Sequence, residues 1–139
     1  MDELKVFDVG EGKIVPVEFR DLPFKPQRTF WIYDVPDGKT RGNHAHVDCH
    51  QFIVAVSGGF RLQAEMLDAK IVDFEICSRE RFFYAPPMTW ALLSRFQRGT
   101  VCLVLASHAY DPEDYINDYQ DYKKIQDSIQ RSQAHNKAL

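Results

Sequence analysis

The 139-residue chain carries 17 Lys plus Arg against 20 Asp plus Glu, a net charge of −3, and is 45% hydrophobic. That length makes one ordinary domain, able to bury a core without staples. Acids and bases are interspersed, so no basic stripe follows a nucleic-acid backbone and no polybasic patch faces a membrane. The apolar runs are strand-sized, and the start Met1-Asp2-Glu3-Leu4-Lys5 has neither a signal-peptide core nor a spanning helix, which reads as cytoplasmic. Cys49, Cys77 and Cys102 are odd in number and lack CxxC spacing; they are expected to be reduced and structural.

From Val6 to Glu18 the pattern reads as a turn at Gly10 and Gly12 followed by a short strand. Pro23 and Pro26 make the next stretch a loop. Arg28-Thr29-Phe30-Trp31-Ile32-Tyr33-Asp34-Val35 is aromatic and β-branched and ends at Pro36-Asp37-Gly38, a strand with a turn behind it. Phe52 to Val56 is apolar on both faces, and Ser57-Gly58-Gly59 predicts a hairpin turn after it. Phe60 to Met66 and Val72 to Ile76 alternate as half-exposed antiparallel strands. Arg81 to Tyr84 and Thr89 to Leu93 are further strands, and Thr100 to Ala106, apolar on both faces, is expected to be central. Short strands at this spacing, with Gly and Pro turns and no intervening helix, predict an all-β jelly-roll barrel or sandwich. Asp111-Pro112-Glu113-Asp114 reads as a helix start. Tyr115, Tyr119, Tyr122 and Ile129 would form its buried stripe, with Ile116 and Ile125 beside it, and the chain would fray from about Arg131. The expected organisation is a single domain over 1–139, with the barrel over about 1–110 and a C-terminal helix over about 112–131.

The chemistry concentrates in Arg41-Gly42-Asn43-His44-Ala45-His46. In an extended chain His44 and His46 share a face about 7 Å apart. Imidazoles titrate near neutral pH, so such a pair suits a metal site, proton transfer or an anion clamp. As a metal site it is short of ligands. The carboxylate that would complete it falls at His50 or Gln51, and Met88 to Leu93 supplies no second histidine. The one remaining metal option groups His44, His46 and His50.

The G-x-H-x-H before a buried strand resembles the first motif of the cupin superfamily. Arg28-x-Phe30-Trp31-Ile32-Tyr33-Asp34, Arg41-Gly42-Asn43-His44-Ala45-His46, Gln51, Gly58, Pro86-Pro87-x-x-Trp90, Val104 to Ser107 and Tyr110-Asp111-x-x-Asp114-Tyr115-Ile116 together resemble the sugar 3,4-ketoisomerase family of cupins, which includes WxcM-like proteins. That resemblance runs from Asp8 to Lys124. It implies a cupin homodimer, free of metal and cofactor, that converts a dTDP-4-keto-6-deoxyhexose to its 3-keto isomer through an enediolate. The deoxysugar would enter a surface glycan such as O-antigen or a glycosylated metabolite, after an aminotransferase. Carried over, His44 is the base, His46 positions the sugar, and Tyr33, Arg41 or a protonated His46 stabilises the enediolate. Arg28 and Arg41 become pyrophosphate ligands, Trp31 or Trp90 stacks on thymine or lines the sugar pocket, and Asn43 and Gln51 complete the substrate site. Where many relatives carry Asp-x-Arg-Gly, a polar residue after the tryptophan and a basic residue after the His pair, this chain has Glu11-Gly12, Ala91 and Val47. The alternatives are a non-catalytic cupin binding a nucleotide sugar or glycan, a metal-dependent cupin enzyme, and an epimerase, because the same enediolate inverts a carbon when protonated from the other face.

Overall fold

Strict alternation along the middle of the chain folds it into two facing five-stranded sheets in the computed structural model, which describes residues 2–138. The strands are β1 (Asp2–Glu3), β2 (Phe7–Asp8), β3 (Lys13–Ile14), β4 (Arg28–Tyr33), β5 (Arg41–His46), β6 (Gln51–Ser57), β7 (Phe60–Glu65), β8 (Ile71–Ile76), β9 (Arg81–Ala85), β10 (Trp90–Ser94), β11 (Val101–Ala106) and β12 (Tyr115–Ile116); helix α1 (Tyr119–Ala138) follows. One sheet has the order β1-β9-β6-β11-β4 and the other β12-β5-β10-β7-β8, while β2 and β3 form a separate hairpin. This is the cupin jelly roll with a C-terminal helix. Among the described residues no helix is long and apolar enough to cross a membrane.

Ile53, Phe60, Leu62, Ile76 and Val104 meet between the sheets, each at most 2% exposed. On the other face of the first sheet Phe52, Val54 and Leu105 are covered by Leu4, Val17, Leu22 and Phe24 from the N-terminal segment. That cover explains why β6 and β11 are apolar on both faces, and β11 lies inside its sheet between β6 and β4 as expected.

Two expectations are corrected. Ser57-Gly58-Gly59 does not close a hairpin, because β6 and β7 belong to opposite sheets. The chain crosses there on Gly58 (φ +67°), where a Cβ would come within 2.7 Å of Thr100 Cα, and the Gly59 N–H donates to Thr100 Oγ1 at 3.0 Å. The C-terminal helix begins at Tyr119 rather than near 112 and runs to Ala138. Asp111 does cap, accepting from Glu113 N, but what it caps is a single 3-10 turn, Pro112–Asp114. Tyr115 and Ile116 then pair with His46 and Ala45 of β5, which buries Ile116. The cap of α1 is Asp118, whose carboxylate accepts from Asp121 N at 3.0 Å.

Helix α1 is fixed by Tyr122, which is fully buried. Its ring lies 5.4 Å from Trp90, in a cluster with Ala45, Met88 and Ile116. Its hydroxyl is 3.0 Å from the carbonyls of both Glu65 and Met88, and Gln126 Nε2 donates to Met66 O at 2.9 Å. Replacing Tyr122 by Phe removes the one O–H that the Met88 and Glu65 carbonyls share. The expected cost is about 1–3 kcal/mol of stability, read as a lower urea midpoint at unchanged slope.

Candidate active site

Strand β5 is interrupted where the chemistry begins. Across β10, His44 pairs with Ala91 and Gly42 with Leu92, so Asn43 is an extra residue without a partner, a bulge. Gly42 (φ +76°) and Asn43 (φ +62°) are both left-handed. Asn accepts that region more readily than most residues; Gly42 is needed because a Cβ would lie 2.7 Å from the Ala91 carbonyl oxygen. In a regular strand the three-residue step from Arg41 to His44 would put them on opposite faces. The bulge resets the alternation, setting Arg41 opposite Leu93 and His44 opposite Ala91. Arg41, His44 and His46 therefore all line one cavity of about 890 Å3.

The cavity is long. Arg41 and His46 bound a stretch of β5 spanning roughly 15 Å. Lys39, Arg41 and Tyr33 line one end, and His46, Tyr115 and Gln51 the other. Trp31 and Tyr33 also line it while remaining 59% and 60% exposed on β4, an edge strand.

Hydrogen bonds assign the imidazoles. His44 Nδ1 is 3.1 Å from the Gly42 carbonyl, which can only accept, so Nδ1 carries the proton and Nε2 is the basic nitrogen. His46 Nδ1 is 3.1 Å from Asp114 Oδ2, and its Nε2 is 3.4 Å from Gln51 Nε2. Both His46 nitrogens are thus engaged, whereas His44 keeps a free lone pair. Asp114 is itself fixed, accepting from the backbone amides of Asp48 (2.8 Å) and Cys49 (3.3 Å). The Tyr115 ring packs on both imidazoles, at 4.9 Å from His44 and 4.3 Å from His46.

Burial sets the protonation. The His44 pKa is pushed down to about 4, first by desolvation and then by the charges of His46 and Arg41, against the opposing Gly42 hydrogen bond. His46 is also held below its ordinary value, because desolvation outweighs the pull of Asp114 and Arg28 adds to it. Both rings are therefore held toward the neutral form at neutral pH, which weighs against the protonated His46 expected as an enediolate donor. A depressed pKa means the unfolded chain binds protons that the native state refuses. Stability is then complete above about 6.5 and falls as pH drops toward about 4. The expected result is an activity plateau through neutral pH whose acid limb lies below 6.5, with a melting temperature that declines over the same interval.

Of the sequence-predicted residues, His44, His46, Tyr33, Arg41, Gln51 and Trp31 are brought together in the cavity wall. Three are not. Trp90 packs against Tyr119 and Tyr122 of α1, Asn43 is the exposed bulge residue, and Arg28 lies over the Phe30 and Tyr110 rings, at the opposite end of β4 from Tyr33. Tyr33 stands at the Arg41 end, so Tyr115 is the tyrosine against the imidazoles. Asp114, Tyr115, Tyr110, Cys49 and Lys39 join the site without having been expected there. Of the three departures from the family pattern, Ala91 lines the cavity; Glu11 and Val47 are exposed outside its lining.

The grouping of His44, His46 and His50 does not assemble, because His50 Nδ1 bonds Tyr84 Oη at 2.6 Å and its ring packs on Phe24. The donor cluster among the described residues is instead His46, Cys49 and Asp114, within 4.8 Å of one another. Asp114 accepts three hydrogen bonds there, from His46 Nδ1 and the amides of Asp48 and Cys49, so His46 and Asp114 form a hydrogen-bonded dyad with a thiol beside it.

The family model described as "FdtA: WxcM-like, C-terminal" matches residues 1–127. The chain is 32% identical over 122 residues to the TDP-4-oxo-6-deoxy-alpha-D-glucose-3,4-oxoisomerase of Aneurinibacillus thermoaerophilus, covering 86% of each protein. It is similar to the crystal structure of the sugar 3,4-ketoisomerase QdtA from Thermoanaerobacterium thermosaccharolyticum in complex with TDP, with TM-score 0.84, 30% identity, and 91% and 92% of the two chains covered. A histidine-to-asparagine variant of that enzyme in complex with TDP-4-keto-6-deoxyglucose matches with TM-score 0.84 and 29% identity over 91% of each chain. By its match over residues 1–127 and by these relatives, the chain belongs to the WxcM-like, C-terminal family of sugar 3,4-ketoisomerases.

Proposed function

We propose that this protein is a nucleotide-sugar 3,4-ketoisomerase acting on a TDP-linked 4-keto-6-deoxyhexose, with His44 as the base. The observation that carries the reading is the asymmetry of the histidine pair: one neutral imidazole with a free Nε2, beside another engaged by Asp114 and Gln51. The C4 carbonyl acidifies the C3 hydrogen. His44 Nε2 takes that proton, leaving an enediolate across C3 and C4, and returns a proton at C4 while the hydroxyl proton moves from O3 to O4. Substrate and product have the same composition. Gln51 and Tyr115 stand at the end of the cavity where the enediolate forms, and donors aimed at developing charge are usually the largest catalytic contribution. Arg41 with Lys39 suits the pyrophosphate, and Trp31 and Tyr33 offer aromatic faces to the base.

The same reading includes a homodimer, supported by the open edge of β4 with its exposed Trp31 and Tyr33 and by the exposed Phe7 and Ile14 of the β2–β3 hairpin. Cytoplasmic deoxysugar synthesis for a surface glycan is part of it, supported by three free cysteines and by the relatives' substrates. The test is to incubate chelator-treated protein with TDP-4-keto-6-deoxyglucose and follow the sugar protons by NMR. A 3-keto product is expected. Binding without conversion would instead favour a ligand-binding cupin.

A further inference from the structure

Arg28 heads β4 opposite Ala106 of β11. Gln51, the His46 partner, sits across β11 from the same Ala106, so Arg28 and Gln51 occupy one end of the sheet. The guanidinium lies 5.1 Å over the Phe30 ring and 5.8 Å over the Tyr110 ring, and both rings line the cavity. Its Nε is buried without a hydrogen-bond partner, and no carboxylate ion-pairs with it among the described residues. A cation partly withdrawn from water with no counter-charge is costly, and two aromatic faces return only part of that cost. Such a group fits a place where negative charge appears only during turnover. In a 3,4-ketoisomerase that charge is the enediolate, formed beside neutral imidazoles that cannot balance it.

We propose that Arg28 is the electrostatic residue of the proton-transfer end: it offsets the enediolate charge from its place against Phe30 and Tyr110, rather than anchoring the pyrophosphate. This rests on the ketoisomerase reading. Arg28 acts through space and through His46, so it is a positioning residue. The groups facing His46 are Asp114 from the 3-10 turn, His44 on β5, Cys49 after it, Tyr115 on β12 and Arg28 on β4. Asp114 favours imidazolium, while His44 when charged and Arg28 always oppose it. Removing the Arg28 charge therefore raises the His46 pKa and moves the acid limb of activity upward.

Arg28→Met and Arg28→Lys separate charge from shape, with Arg28→Gln replacing the Met variant if that fails to fold. Three quantities are measured: the His46 titration by NMR without substrate, TDP affinity by calorimetry, and kcat with KM for TDP-4-keto-6-deoxyglucose. In Arg28→Met the His46 titration is expected to move up, TDP affinity to stay within about twofold, and kcat to fall by about 100-fold. Arg28→Lys is expected to keep the His46 titration and recover part of kcat. Weakened TDP binding at unchanged kcat would overturn the proposal in favour of a pyrophosphate anchor; an unmoved His46 titration would overturn it as well. If the wild-type protein shows no turnover, the ketoisomerase reading fails, while the substrate-free titration still decides whether the Arg28 charge reaches His46 and opposes its protonation.

Discussion

Replacing His44 by Asn lowers kcat by about 10³-fold or more, with TDP affinity nearly unchanged. The side chain keeps a similar reach and can still meet the Gly42 carbonyl, but an amide has no basic nitrogen. His46 does not substitute for it, because its Nδ1 is spoken for by Asp114 and its Nε2 faces the Gln51 amide. Single-turnover rates and calorimetry with TDP check the two halves separately. A variant that loses affinity and rate in proportion would mean that His44 holds the ligand instead of moving a proton.

Asp114→Asn is expected to lower kcat by about 10²-fold, less than the roughly 10⁴-fold lost when the base itself is left in the wrong tautomer, because Asp114 holds His46 and not His44. The carboxylate now accepts from His46 Nδ1–H and from the amides of Asp48 and Cys49. A carboxamide of the same shape presents its NH2 either to the Asp48 amide, which now meets Oδ1, or to His46 Nδ1 and the Cys49 amide together, which now meet Oδ2. If the NH2 faces His46, the imidazole proton moves to Nε2 and meets the Gln51 amide, and the Cys49 amide loses its acceptor. If it faces Asp48, the turn after β5 loses that tie to Pro112–Asp114. Asp114→Glu keeps the charge at the wrong length and is expected to recover only part of the rate. Nitrogen NMR of the imidazoles distinguishes a tautomer change from a shifted loop.

The strands were legible because the apolar pattern has period two and Gly or Pro marks most turns. Phe60 to Met66 needed nothing else, while Thr100 to Ala106 was legible as a short run apolar on both faces. The histidine pair was legible for the same reason, since residues two apart share a face. Three features were not. The Asn43 bulge leaves no signature in hydrophobic pattern, since Gly42 and Asn43 carry none, yet it decides that Arg41 faces the cavity. The β6–β7 turn has hairpin composition, but whether it joins neighbours in one sheet or crosses to the other depends on Thr100 packing from 41 residues away. Asp111-Pro112 satisfies the chemistry of a helix start, and a 3-10 turn shares that chemistry. A signal for the true boundary was present: the aromatic and β-branched Tyr115-Ile116 followed by Asn117-Asp118, a strand and then a second cap. Placing the helix too early moved Asp114 and Tyr115 away from the histidines on which they act. Trp90 was misassigned for a related reason, since an aromatic between sheet and helix reads in sequence like one in a pocket.

The most direct measurement follows the protons. Chelator-treated wild-type protein and His44→Asn are incubated with TDP-4-keto-6-deoxyglucose in deuterated water, and the sugar signals are followed by NMR. With His44 as the base, deuterium enters at C3 of the recovered substrate and at C4 of a new 3-keto sugar, and both processes vanish together in His44→Asn while TDP still binds. Exchange that continues at the wild-type rate without His44 would contradict this assignment and move the base to another group in the cavity.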